Sequence, residues 1–595
     1  MENIHLQRIE KLRELMRAKD WDAVIITGSD PHSSEYPAMR WKQVEWLSGF
    51  TGEAGDLVIT MDHAGLWTDT RYFIQADRQL AGTGVVLHKT RVPEQVLIPE
   101  WLEQQFGNQG IIAIDGLCVN SAWARSIPGD IISIPDLLSL IWKDRPQIPQ
   151  TPVFSVECGE SRFSKIQWLR DELAGRNCDA ILVSSLDEIA WTLNMRASDI
   201  DFNPLIISFL LVTSSHVAWF MKKGGPEDES TAACMNILNS EGIAVEPYDS
   251  VSYSIADMVE GPLMIDPDTL NYELYHNLLS SGVELTESAS PIQHKKAVKN
   301  EFEMDAMRRI HVKDGVAMEK FLFWIERSLQ AGKEIDEWEA AVKLDGFRAE
   351  IEEYRGNSFE TISAYGPGAA LPHYITPYTD APKLRDSGLY LCDSGGQYSL
   401  GTTDITRTIP LGRCSRLEME DYTLVLKGHI DLAMAVFPEG TPGCRLDALA
   451  REPLWRSKRN FGHGTGHGVG FFLGVHEGPQ DIRQNLNPVA LEPGMICSDE
   501  PGIYREGQHG VRHENLLLCV DAGGNEFGKW LSFEPLTLCH FDTSIIITDL
   551  LNKEELEWLN SYNERVYRTL GPLLPTEVRD WLRKKTLSLS PQNRG

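Results

Sequence analysis

Asp393, Asp404, His467, Glu500 and Glu514, all in the C-terminal half of this chain, make a set of four carboxylates and one imidazole suited to acting at one centre. Asp393 and Asp404 lie in LYLCDSGGQYSLGTTDITRTI, each on a short alternating run with a glycine-rich turn between them. Side chains alternate along a strand, so Leu389, Leu391 and Asp393 share one face, and Thr402, Asp404 and Thr406 share another. The pattern predicts a hairpin that aims two carboxylates at one spot. His467 lies in FGHGTGHGVGFF, and Glu500 ends the apolar run GMICSDEP, where Pro501 stops the strand. Glu514 sits in GVRHENLLLCV, with Arg512 on its own face and His513 on the other.

Four carboxylates converging in a partly dry pocket repel one another by roughly 4 kcal/mol per close pair at an effective dielectric of about 20. Two divalent cations balance four such charges. The donors are hard oxygens and one nitrogen with no thiolate, which favours manganese, cobalt or iron over a structural zinc cage. Two metals about 3.5–4 Å apart can share a hydroxide, generate it near neutral pH and polarise a carbonyl.

Taken singly, each residue has a plainer reading. An aspartate beside a glycine turn is usually a turn residue, and a histidine in a glycine-rich loop is usually structural. It is the occurrence of the aspartate pair, HGTGHGVG, DEPG and RHEN in one order that carries the chemistry. Cys392, beside Asp393, faces the opposite way and has no base in reach, so it is not read as a nucleophile. Neither G-x-S-x-G nor a P-loop occurs, which leaves serine hydrolase and NTPase readings without support.

The segments ISAYGPGAALPHY, DSGGQYSLGTTDITRT, LKGHIDLAMAVFPEGT, HGTGHGVGFFLGVHEGP, EPGMICSDEPGIY and GVRHENLLL resemble the creatinase–aminopeptidase clan, and within it the long, three-domain Xaa-Pro aminopeptidases. Towards the start, SSEYPAMRWKQVEWLSGFTGEAGDLVIT and LDEIAWTLNMRASDIDFNPL are similar to that family's first and second domains. The resemblance implies an α+β fold: a pita-bread catalytic domain preceded by two similar α/β creatinase-like domains. It implies metal ligands at Asp393, Asp404, His467, Glu500 and Glu514, with Asp404 and Glu514 shared by two divalent ions. Manganese is expected, with cobalt, iron or zinc as alternatives. It also implies active-site histidines at His373, His463 and His476.

Glu500 is expected to be the general base as well as a ligand, and Arg512 to orient a carboxylate from behind. A surface ion pair is the plainer role for Arg512. His463 precedes His467 by four residues, but the surrounding glycines argue against a helix there. The activity implied is release of the N-terminal residue from peptides with proline second, by attack of a metal-bridging hydroxide. The alternatives are a prolidase-type dipeptidase and a non-catalytic pita-bread peptide-binding protein. Long members of the family imply a homodimer.

The surrounding scaffold also shows in the sequence pattern. At 595 residues, several domains are expected. Two N-terminal stretches repeat loosely: RIEKLRELMRAKDWDAVIIT and SKIQWLRDELAGRNCDAILVSS each read as an amphipathic helix followed by a strand that opens at Asp-Ala. A second helix and a hairpin follow in both. Proline-rich DRPQIPQTP separates them, and TESASPIQHKKAVKN marks the next boundary. The expected domains are 1–150, 151–292, 293–542 and a helical extension over 543–595, with the last ten residues loose. A long amphipathic helix is expected from EFEMDAMRRIHVKDG onward.

Lys and Arg number 56 against 86 Asp and Glu, a formal charge of −30, which argues against nucleic acid or an anionic membrane as partner. The ten cysteines are scattered without a C-x-x-C, so neither a disulfide framework nor a zinc finger is suggested. With no secretory core and no apolar run of membrane-spanning length, the expected location is cytoplasmic.

Overall fold

The computed structural model describes residues 3–222 and 229–590. The chain divides into two compact units, Met1–Ile292 and Gln293–Gly595. Among the described residues, no helix is long and apolar enough to cross a membrane.

The first unit contains one supersecondary plan twice. Helix α1 (Ile4–Lys19) starts at Asn3, whose side chain caps His5 N, and buries Ile9, Leu12 and Met16. Strands β1 (Ala23–Ile26), β2 (Asp56–Thr60), β3 (Ala64–Thr68), β4 (Val86–Lys89), β5 (Ile111–Ile114) and β6 (Asp130–Ser133) form a sheet in the order β4-β3-β2-β1-β5-β6. Helix α2 (Gln43–Ser48) precedes the β2–β3 hairpin, and α3 (Ile98–Phe106) lies between β4 and β5. The four residues of β1 are all buried, and alternation sends them to two cores. Val24 and Ile26 pack with Leu12 and Met16 of α1, while Ala23 and Ile25 pack with Ile98 and Leu102 of α3.

The second copy opens with α4 (Arg162–Gly175), and α5 (Leu186–Leu193) stands where α2 does. Its strands are β7 (Ala180–Val183), β8 (Ser208–Thr213), β9 (Val217–Met221), β10 (Ile243–Pro247), β11 (Leu263–Ile265) and β12 (Leu285–Glu287), in the order β10-β9-β8-β7-β11-β12. That is the same permutation, with the same parallel and antiparallel neighbours. The Asp-Ala pair has one job in both copies. Asp22 N donates to Ile111 O and Asp179 N to Pro262 O, both at 2.9 Å, which starts the parallel pairing.

In the second unit, α6 (Glu301–Gln330) is the long helix expected. Asn300 and Glu303 form a capping box at its start, and Met307, Ile310, Met318, Phe321 and Ile325 make its buried stripe. Gly315 lets the helix approach the main chain closely, since a Cβ there would lie 2.2 Å from Leu538 O. Arg348, at the end of α7 (Glu337–Arg348), and the Tyr398 hydroxyl both bond Asp314 of α6, at 2.9 and 2.6 Å.

Strands β13 (Ile362–Tyr365), β14 (Leu389–Ser394) and β15 (Ile405–Pro410) form one sheet with β14 in the middle. A six-stranded sheet combines β16 (Val436–Pro438), β17 (Gly466–Gly468), β18 (Glu477–Ile482), β19 (Ile496–Asp499), β22 (Asn515–Asn525) and β23 (Gly528–Pro535) in the order β16-β23-β22-β19-β17-β18. The hairpin of β20 (Gly502–Arg505) and β21 (His509–Arg512) stands between β19 and β22 in the chain. Helices α8 (Arg416–Ala433) and α9 (Asp447–Arg456) follow β15 and β16.

The tail forms the two helices read from its pattern, α10 (Lys553–Leu570) and α11 (Thr576–Lys585). Leu559, Tyr562, Val566, Trp581 and Leu582 share one core with Phe321, Tyr390 and Val425. The expectation of a loose end is corrected for 586–590. Asn560 bonds both the N–H and the C=O of Leu589, at 2.8 and 3.0 Å, and that clamp fixes the chain. Residues 591–595 lie outside the described residues.

The hairpin predicted for the aspartates is also modified. β14 and β15 pair antiparallel with Asp393 opposite Thr406. The glycine-rich connection is more than a turn: Gly396–Tyr398 and Gly401–Thr402 pair with each other, and Gly396–Tyr398 also pairs with Tyr354–Asn357, in a small sheet of their own. The ten cysteines are free thiols. Cys392 is fully buried, and burial pushes its thiol up to about 12, which leaves no thiolate for nucleophilic chemistry.

Candidate metal centre

Asp393, Asp404 and Glu514 each offer a carboxylate oxygen, and these atoms lie within 4.8 Å of one another. His467, Glu500 and Glu514 make a second such group, and Asp404, His467 and His476 a third. The three groups overlap, so the five residues singled out from the sequence converge on one place. Each arrives from a different local device. Asp393 is next to last in β14 and Asp404 is the residue before β15. Glu500 follows β19, its N–H held by Thr465 O at 2.8 Å, and Glu514 precedes β22, its N–H held by Thr406 O at 3.1 Å.

His467 is the middle residue of β17. Its Nδ1 faces Gly468 O at 3.0 Å, which places the proton on Nδ1 and leaves the Nε2 lone pair for the site. That Nε2 lies 3.5 Å from both Asp404 Oδ2 and Glu500 Oε1. Ser498 Oγ accepts the His467 N–H at 3.0 Å and approaches Glu500 Oε1 at 3.4 Å.

The electrostatics fit cations. Burial, then the charges of Asp404, Asp393 and Glu500, push the Glu514 carboxyl well above the usual range, against one hydrogen bond from Thr406 at 2.8 Å. Burial raises Asp393 too, although Arg512 opposes it. Glu500 is raised to about 7, by burial first and then by Asp404 and Asp393, with His467 and Arg512 pulling the other way. Asp393 Oδ1 is buried with no hydrogen-bond partner. Desolvated carboxylates that repel one another, one with an orphaned oxygen, are the donor set that hard divalent cations satisfy.

Arg512 is 3% exposed, which excludes the surface ion pair. Its Nη2 lies 2.5 Å from Asp393 Oδ2, and its Nη1 donates to the Tyr504 hydroxyl at 2.7 Å. Tyr504 also meets His463 Nε2 at 2.7 Å, so a line runs from Asp393 through Arg512 and Tyr504 to His463. His463 is in irregular chain, as its glycine neighbours required. The ring of His476 stands edge-on to that of His467 at 4.3 Å between centroids. His373 follows the helical turn Gly366–Ala370 and is half-buried between two anchored neighbours. Arg512 Nη2 reaches Pro372 O at 3.4 Å, and the Tyr374 hydroxyl donates to Glu337 at 2.6 Å.

Sequence reasoning missed Tyr504, Thr406 and Ser498. Tyr504 stood inside the quoted EPGIY segment, but neither its type nor its spacing marks it. Only the β20–β21 register, with Gly502 opposite Arg512, brings its hydroxyl to the guanidinium. Gly502 has no side chain to block the ring, since a Cβ there would lie 2.6 Å from the hydroxyl.

A carboxylate-rich centre at the meeting of two sheets defines a metallopeptidase of the pita-bread kind. Comparison with known families agrees: metallopeptidase family M24 matches residues 305–521, and its C-terminal region matches 529–589. Creatinase/prolidase N-terminal domains match 8–145 and 144–303. The probable Xaa-Pro aminopeptidase P of Laccaria bicolor is 37% identical, covering 97% of this chain and 93% of its own length. That of Coprinopsis cinerea is 35% identical and covers 98% of both. Among solved structures, the X-prolyl aminopeptidase from Caenorhabditis elegans, described as a cytosolic enzyme with a di-nuclear active site, superposes with a TM-score of 0.93. It is 33% identical, covering 98% of this chain and 100% of its own. The chain belongs to the Xaa-Pro aminopeptidase P family.

Proposed function

We propose that the chain is a metallo-aminopeptidase that releases the N-terminal residue from peptides with proline in the second position. Two divalent cations, held by Asp393, Asp404, His467, Glu500 and Glu514, are its cofactor in this reading. The observation that carries it is the convergence of Asp393, Asp404 and Glu514 within 4.8 Å of one another. His467 and Glu500 close the same site. Asp404 and Glu514 would be the ligands common to both ions, and Asp393 would hold one ion and His467 the other. Manganese suits these donors, and cobalt, iron and zinc are compatible with them. When bound, such a pair acidifies water and polarises a carbonyl.

The side chains supply the rest. Glu500 accepts the proton of the attacking water at its carboxylate. Arg512 fixes the rotamer of Asp393 and balances its charge. His476, beside His467, donates towards the scissile carbonyl oxygen or the departing nitrogen. His373, on an anchored loop, steadies the same carbonyl. His463 acts through Tyr504. An Xaa-Pro bond is a tertiary amide, so the substrate presents no N–H there and its ring fixes φ near about −65°. The departing nitrogen must be protonated as the bond breaks, which is work for a histidine. The free amino end of the substrate lies among carboxylates, so cleavage stops after one residue.

We place the enzyme in the cytosol, where its Caenorhabditis elegans relative is described. Assembly as a homodimer rests on the family resemblance alone. The test is a peptide panel: Arg-Pro-Pro, Arg-Ala-Pro and an N-acetylated Xaa-Pro peptide, with and without manganese. Only the first should be cleaved well. Equal rates on the alanine peptide, or ready cleavage of the acetylated one, would refute the reading.

A further inference from the structure

The first sheet carries a second cluster of potential ligands, made of imidazole instead of carboxylate. His63 stands in the β2–β3 turn and His88 in the edge strand β4. Their Nε2 atoms are 3.0 Å apart, a hydrogen bond in which one neutral ring donates to the other, so ligation would move that proton to Nδ1. Strand geometry explains why they meet. His63, Gly65 and Trp67 share a face by alternation, and Trp67 is the register partner of His88 in the parallel β3–β4 pair. The His88 ring stacks on Trp67 at 3.8 Å and 6°. The His63 ring lies 5.0 Å from Trp101 of α3. The rings fold over Gly65, where a Cβ would come within 2.7 Å of His63 Nε2 and 2.8 Å of His88 Cδ2. The absence of a side chain at that position is what admits them.

We propose that His63 and His88 together chelate one borderline transition-metal ion of the nickel, copper or zinc kind, with water completing its coordination. The spacing, protonation and exposure of the two rings suit an ion. Two nitrogens each about 2.0–2.1 Å from one ion are about 3.0–3.4 Å apart, so the observed separation is already a chelating bite. Both imidazoles are held neutral, as ligation requires: burial, then His63, pushes His88 down to about 4, and burial is the first cause that lowers His63. Both residues are half-buried, so neither is sealed from solvent. Imidazole is the donor these ions prefer, whereas the carboxylate-rich centre suits harder ones.

The test uses the full chain already loaded with manganese, titrated with nickel chloride under equilibrium dialysis with elemental analysis. Wild type should take up one nickel per chain beyond its manganese, with partial quenching of tryptophan fluorescence from stacked Trp67. His63→Ala and His88→Asn should each weaken that uptake at least about tenfold. The asparagine keeps a planar group against Trp67, so the sheet edge is preserved. Gly65→Ala should weaken it too, by dispersing the rings, while His276→Ala, at an exposed histidine elsewhere, should leave it unchanged. Retained manganese-dependent peptidase activity certifies that each variant is folded. Equal nickel uptake in wild type and both histidine variants, or no uptake beyond the manganese content in active wild type, would overturn the proposal.

Discussion

Arg407 Nη2 donates to the Tyr562 hydroxyl at 3.1 Å, joining the strand that follows Asp404 to helix α10 of the C-terminal extension. The same guanidinium bonds Glu514 O at 2.6 Å and Cys539 O at 2.7 Å, and lies 4.0 Å over the Phe541 ring. Helix α10 is therefore linked, through Arg407, to the backbone of one proposed ligand. Tyr562→Phe should cost about 1 kcal/mol of stability and Arg407→Met about 3–5 kcal/mol, because the latter leaves several buried carbonyls unpaired. Urea denaturation measures both, and an Arg407→Met protein as stable as wild type would contradict this account.

Removing the metals should abolish turnover, and manganese should restore it. Asp404→Asn and Glu514→Gln remove the proposed shared ligands, so elemental analysis should find fewer than the two metal equivalents expected of wild type. Full metal content in either variant would reassign those carboxylates.

Glu500→Gln should lower kcat by roughly 10²–10⁴-fold, the usual cost of a lost general base. Lost metal adds to that cost, so metal content is measured alongside. A variant that kept more than about a tenth of the wild-type rate would remove Glu500 from that role.

Arg512→Met should cost about 10–100-fold in activity or metal affinity, since it leaves Asp393 without its buried partner. Arg512→Lys should recover only part, because an ammonium cannot reach Asp393 and Tyr504 as one planar fork does. Tyr504→Phe keeps the Asp393 contact, so its loss should be smaller than that of Arg512→Met. The three rates, compared on one peptide, decide the ranking.

Stability should carry a pH signature at Glu337. Burial raises its carboxyl to about 7, although the Tyr374 hydroxyl and Tyr365 N–H bond it. The folded state then holds this proton more tightly than the unfolded chain, in which a glutamate titrates at about 4.3. Its contribution favours folding at low pH and is lost as pH rises from the unfolded value through about 7. Glu337→Gln should flatten that part of the stability–pH curve. An unchanged slope in the variant would show that another group sets it.

The donor set of the proposed centre and much of the plan around it can be read from the residues alone. Four carboxylates and an imidazole are visible as residue types, and each lies beside a strand whose alternation shows on the page. The duplicated Asp-Ala strand starts, the capped helix at Glu301 and the two tail helices follow from local rules, because backbone propensity, capping and apolar spacing act within a few residues. What depends on register and on contacts between distant segments emerges only in the fold. The Asp393–Arg512–Tyr504–His463 line needs the β20–β21 pairing and the empty space at Gly502. The Asn560 clamp on Leu589 needs a turn between two helices. The His63–His88 pair needs β3 and β4 side by side, with Gly65 beneath. Hydrogen bonds and ring contacts act over a few ångströms, so residues far apart in the chain acquire a joint role only when folding places them together.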